Sequence, residues 1–212
     1  MLPTAHIIFL KFPETGKVKT RLGKDIGDSN AAELYRLLVE RLINTSNTQS
    51  YDILLFIDPY DKILNFKNWL GDNISYHPQV GADIGERMHN ALQISFDMGY
   101  KRSVLTGTDI PELDSVIITS SLESLKVSDA IIGKACDGGY YLIGFQNGKL
   151  TKTVFEGISW STDIVFSQTM HIFEDTGLSI AQAPILGDLD DIQDLQKHKG
   201  NLKGILDTLD IY

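Results

Sequence analysis

The sequence predicts a single α/β domain, a three-layer α/β/α sandwich in which helices cover both faces of a mostly parallel, mixed sheet. Three observations predict it. Short apolar runs ending in loops with Gly, Pro or Asp recur along the chain, as strands buried on both faces do. Segments with a helical repeat lie between them, in the βαβαβαβα order that parallel strands require. The 212 residues suit one core, and no repeat, low-complexity tract or Pro/Gly/Ser-rich linker divides them, so residues 1–212 are read as one domain.

In chain order, the run His6 to Lys11 reads as the first strand. The residues ahead of it lack the basic stretch of a signal peptide, and a loop with Lys and Gly follows in place of a small-residue cleavage site. Next, Ala31, Leu34, Tyr35, Leu38, Val39 and Leu42 share one helical face, while Glu33, Arg36 and Glu40 lie opposite at ion-pair spacing. Ser29 or Asn30 is the expected cap. Tyr51 to Ile57 and Ser103 to Thr106 are further strands. Helices are expected at about 62–70, 85–96, 114–125, 162–176 and 192–198. DAIIGKA and YYLIGF, separated only by CDGG, are too close for a helical crossover and are expected to form a hairpin or a bend in the sheet.

A formal charge of −9 argues against nucleic acid or an anionic membrane as the main partner. No apolar stretch approaches the roughly 18 residues of a membrane span, so a soluble protein is expected. One cysteine, Cys136, cannot form an internal disulfide, which fits a reducing cytoplasm. Charge is unevenly spread. Lys11, Lys17, Lys19, Arg21 and Lys24 stand against Glu14 alone in one short stretch, in a chain where acids otherwise dominate.

Five segments carry residue types suited to chemistry. KFPETGKVKTRL follows the first strand, where Gly16 permits unusual backbone angles and Lys11, Lys17, Lys19 and Arg21 could neutralise a polyphosphate; a solvated basic loop is the plainer alternative. It is neither a Walker loop nor a dinucleotide fingerprint. GTDIPEL ends a strand, and its Asp109 could hold a divalent cation, or Asp109 or Asp114 could cap a helix. GDLDDIQDL offers Asp188, Asp190 and Asp191 as a second ligand to that cation, or as charges favouring a helix N-terminus. CDGGYYLIG sets Asp137 beside Gly138 and Gly139, for a ligand or for a tight turn. QVGADIGERMHNAL runs a loop with Gln79, Gly81 and Gly85 into a helix start whose free N–H groups could receive a base or phosphate, and Glu86 and Arg87 could equally pair on the surface. His6, His77, His89, His171 and His198 show no metal spacing with cysteine, and no G-x-S-x-G elbow occurs, so zinc and serine-hydrolase readings are poor.

These segments, in this order, resemble a family of small bacterial glycosyltransferase-like proteins with the nucleotide-diphospho-sugar transferase (GT-A-like) fold. KFPETGKVKTRL, QVGADIGERM, GTDIPEL, DGGYYLIG, WST at Trp160 to Thr162, and DLDDIQDL carry the resemblance across nearly the whole chain. Cys136 before DGG departs from the family's usual Pro or small residue. The resemblance implies glycosyl transfer, linked in some members to arsenosugar biosynthesis, with more distant similarity to the molybdenum-cofactor and phospholactate guanylyltransferases. It also implies phosphates held by the opening loop, a base approached by the Gln79 to Arg87 loop, and Mg²⁺ or Mn²⁺ on Asp109.

The expected activity is metal-assisted transfer from a nucleoside diphosphate sugar to a small-molecule acceptor. Asp109 and Asp190 are the expected metal ligands and Asp109 and Asp137 the catalytic acids, with Asp137 or Glu112 orienting hydroxyls. Lys11, Gly16, Lys19, Arg21, Gln79, Gly81, Gly85, Arg87, Gly138, Gly139 and Trp160 are the expected substrate contacts. The alternative is nucleotidyl transfer from an NTP with release of pyrophosphate; a third possibility, a binding protein without turnover, fits poorly with the retained GTD and late acidic turn.

Overall fold

The computed structural model describes residues 2–46 and 50–211. Seven strands form one sheet in the order β3-β2-β1-β4-β6-β5-β7. Strands β1 (Thr4–Lys11), β2 (Asp52–Asp58), β3 (Ser75–Pro78) and β4 (Arg102–Thr106) are mutually parallel. The expected hairpin is present. Strand β5 (Ala130–Lys134) lies antiparallel to β6 (Tyr140–Gln146), β6 inserts antiparallel against β4, and β7 (Ile180–Gln182) runs parallel to β5.

Alternation along the strands explains the three layers. Ile8, Leu10, Leu55 and Ile57 point to one core, against α2 (Asp28–Ser46), α3 (Ile63–Leu70) and α5 (Ser115–Ser124). Ile7, Phe9, Leu54 and Phe56 point to the other, against α4 (Ile84–Asp97) and α6 (Val165–Thr176). Successive residues therefore face opposite helical layers, which is why these strands read as unbroken apolar runs. A third, smaller core joins α1 (Thr20–Ile26) and α2 to α7 (Ile192–Lys197) and α8 (Lys199–Thr208). No described helix is long and apolar enough to cross a membrane.

Local details correct several expectations. Helix α2 begins at Asp28, so neither Ser29 nor Asn30 is its cap, and Asn30 instead donates to the Ile26 carbonyl. The basic loop ends at Lys19, because Thr20 opens α1. Of the two candidate caps in GTDIPELD, Asp114 is the one used: its side chain accepts from Ile117 N and starts α5. Asp191 caps α7, accepting from Gln193 N and Asp194 N. On α2, Arg36 reaches both Glu33 and Glu40, as the spacing predicts.

Candidate functional site

Parallel register brings the ends of β1 and β4 together, since Ile8 pairs with Thr106. The loops that follow them therefore share one edge of the sheet. Because β6 runs the other way, its start carries Asp137, Gly138 and Gly139 to that same edge. A hydrogen bond from Leu189 N to Asp109 O, 2.9 Å, brings the late acidic turn there as well. The fifth segment follows β3 to this edge, since Ile57 pairs with Pro78 in parallel register and Gln79 comes next.

The basic loop, Gln79, Asp109 and the late acidic turn enclose a cleft of about 480 Å³, within the usual size of a small-ligand site. Lys11, Lys17, Lys19 and Arg21 line it, with Gln79, Asp109 and Asp190. Lys19 is the pivot. Its side chain is 4% exposed, and its ammonium lies 2.6 Å from Leu189 O, 2.7 Å from Asp109 Oδ1 and 3.4 Å from Asp190 Oδ1. The approach to Asp109 is a close charge pair without well-formed hydrogen-bond geometry, leaving that buried oxygen short of a directed donor. Arg21, 77% exposed, stands 3.7 Å from Asp190 Oδ2 and is free to swing to a ligand.

Asp109 and Asp190, the expected ligands of a divalent metal, both lie against the ammonium of Lys19. The donor set suits a sparse divalent site. Asp109 Oδ1 is buried while the side chain as a whole is 47% exposed, so its open edge is Oδ2. Mg²⁺ commonly takes one or two carboxylates and completes its shell with water and phosphate. Among the described residues no cluster of three or more His, Cys, Asp or Glu side chains forms a complete cage.

A second cleft of about 470 Å³ opens beside the first, and Arg21, Ile84 and Asp190 line both. Asp137, Gly139, Tyr140 and Trp160 line it with Asp163. Asp137 Oδ1 accepts from Gly139 N, which closes the turn. Gly138 has φ +92°, and a Cβ there would stand 2.1 Å from Asp163 O, so the turn needs glycine on both counts. A Cβ on Gly85 would meet Trp160 Cζ2 at 2.4 Å, so the indole sits directly on the first turn of α4. Asp188 lies nearby, its carboxyl held above the ordinary range first by burial and then by the charges of Asp137 and Asp190.

Other expected contacts are placed elsewhere. Arg87 lines neither cleft; its guanidinium bonds Gly81 O and pairs with Asp58 at 3.4 Å, bracing the loop. Gly81 packs on the Arg87 backbone, and Gly16 shapes the turn of the basic loop without lining the cleft. Gln79 lines the cleft but donates its amide protons to Leu10 O and Phe56 O, which leaves its carbonyl oxygen for a ligand. Glu112 accepts from Asn201 on α8 and is absent from both clefts. Sequence reasoning missed Thr108 and Ile84, and read Tyr35 only as core. Tyr35 also lines the cleft, its hydroxyl accepting from Lys11 N, with burial and then the charge of Asp109 pushing the phenol upward.

Residues 42–162 match the family described as uncharacterized protein conserved in bacteria (DUF2064). No curated protein matches the chain. Among solved structures, a "putative nucleotide-diphospho-sugar transferase" from Desulfovibrio desulfuricans G20 is 36% identical, with TM-score 0.92 over 99% of this chain and 97% of that one. A cytidylyltransferase from Leptospira borgpetersenii is 12% identical, with TM-score 0.59 over 96% and 88% of the two chains. The 4-diphosphocytidyl-2C-methyl-D-erythritol synthase of Anaerococcus prevotii is 14% identical, with TM-score 0.57 over 94% and 98%. At those identities the last two share the fold alone.

Proposed function

We propose that this chain, which belongs to the bacterial DUF2064 family, is a transferase that moves a glycosyl group from a nucleoside diphosphate sugar to a small-molecule acceptor. The observation that carries the reading is the junction of two clefts at Arg21 and Asp190, one basic and one acidic. A diphosphate suits the first, and the sugar and acceptor suit the second. The naming of the 36% identical Desulfovibrio protein points the same way.

In this mechanism Lys11, Lys17 and Arg21 hold the diphosphate, and Lys19 stays fixed behind it by its three oxygen contacts. Gln79 offers its carbonyl to a base N–H. Mg²⁺ or Mn²⁺ on Asp109 and Asp190 would offset the charge that develops on the leaving diphosphate. The acceptor oxygen bonds to the sugar carbon as the carbon to phosphate-oxygen bond breaks. Asp137 orients the acceptor hydroxyl and takes its proton. Removing Lys17 or Arg21 should cost rate more than fold, because their side chains are exposed at the cleft and lie outside the three cores.

One observation favours nucleotidyl transfer as the second reading: four cations along one cleft match a triphosphate as well as a diphosphate. Phosphorus NMR of reaction mixtures separates the two. Glycosyl transfer releases a nucleoside diphosphate from a nucleotide sugar, and pyrophosphate formed from an NTP as the sole product would replace the first reading with the second.

A further inference from the structure

We propose that the second cleft is a subsite for a hydroxyl-rich molecule without negative charge, and that the acceptor belongs to this class. The proposal rests on the donor reading of the first cleft and specifies what stands beside it. Across the shared wall the charge reverses. Asp137 and Asp163 line it with Arg21 as the one cation among the lining residues, and Arg21 is already drawn to Asp190, which Lys19 also holds. A phosphorylated or carboxylated molecule entering here would meet repulsion from each carboxylate and gain no cation that the donor does not already use.

Hydroxyl groups meet the opposite conditions, since carboxylates accept their protons. Tyr140 supplies a second, independent observation. It lines the cleft, and its hydroxyl donates to the Met88 sulfur at 3.9 Å, a weak acceptor that a ligand oxygen would improve upon. Its ring meets Trp160 edge to face at 6.3 Å between centroids, and Trp160 is seated against Gly85, so the aromatic wall is fixed before any ligand arrives. An aromatic face flanked by carboxylates is a suitable surface for the C–H face and hydroxyl edge of a sugar or other polyol.

The test is saturation-transfer NMR on the full chain with an equimolar mixture of methyl β-D-glucopyranoside, D-glucosamine and D-glucose 6-phosphate. Thermal-shift titration with nucleoside diphosphates runs beside it. The glucoside and the amine should bind, and the phosphate ester should bind about tenfold more weakly or less. Asp163→Lys should move the preference toward the phosphate ester while leaving the nucleotide shift unchanged, because Asp163 lines only the second cleft. Thr162→Lys, exposed in the same cleft, should do the same if the first variant fails to fold. Equal binding of glucoside and phosphate ester, binding of none of the three, or an unchanged preference in the folded variants overturns the subsite. Absence of any nucleotide shift overturns the donor reading of the first cleft instead, and is read independently of the sugar ranking.

Discussion

Lys19 holds an almost fully buried ammonium between two carboxylates, and its backbone, at φ +49°, takes a left-handed turn to do so. Few sequence features announce such a role. Spacing marked Lys19 as one cation among five, and Asp109 and Asp190 as a converging pair, but not that the lysine would stand between them. Its direction is set by Leu189 O, 170 residues away. The partner of Arg87, Asp58, is equally invisible to spacing, because it comes from another strand end. Asp109→Asn keeps shape and hydrogen-bonding capacity but removes charge; it should fold normally and lower metal-dependent turnover by about a hundredfold or more. Near-native turnover in a steady-state assay would remove Asp109 from the mechanism. His6 supplies a stability prediction. It is fully buried, and burial lowers its pKa to about 3 from an ordinary 6.5. The unfolded chain therefore binds a proton that the folded chain refuses, so His6 contributes no pH penalty above about 6.5 and its site loses stability as pH falls from there toward 3. The slope should approach about 1.4 kcal/mol per pH unit for this one group. Urea melts at pH 7 and pH 5 in native protein and His6→Gln check it: an equal pH slope in both would show that His6 is not the cause.

The elements that read clearly from sequence are those with two buried faces. β1, β2 and β4 are such strands, and the hairpin of β5 and β6 followed from the short CDGG connection. What escaped lies at the margins. β3 is the four residues SYHP and β7 the three residues IAQ, both at sheet edges with no fully buried residue to betray an alternating pattern. α1 escaped because TRLGKDI contains Gly23 and continues a basic loop, and α8 because KGNLKGILDT carries two glycines. The connecting turns make testable demands. Gly138→Ala puts a methyl against the Asp163 carbonyl in a positive-φ turn, and should destabilise by about 1–3 kcal/mol while disturbing the second cleft. Asp191→Ala removes the cap of α7 and should cost about 1 kcal/mol. Chemical denaturation of the pair separates strain from capping, since only the glycine variant should also alter sugar binding; unchanged sugar binding there would show that the turn does not shape the cleft.

For the whole molecule, the sheet order is what turns scattered motifs into a site. β1 lies between β2 and β4, and the reversed β6 sits beside β4, so the basic loop, Asp109 and the DGG turn all reach one edge. Net charge obscures this arrangement, because a chain of −9 gathers four cations along one cleft and leaves the neighbouring one acidic. The central claim is that the basic cleft is a nucleotide site, and calorimetric titration with UDP, GDP, ADP, CDP and dTDP in the presence of Mg²⁺ tests it most directly. One of these should bind, and at about 100 times its Kd should stabilise the fold by roughly 2.7 kcal/mol. In the Lys17→Ala, Arg21→Ala double variant, whose side chains are both exposed, affinity should fall at least about tenfold, as expected when charged phosphate contacts are removed. No binding by any of the five, or undiminished affinity in the double variant, would contradict the account.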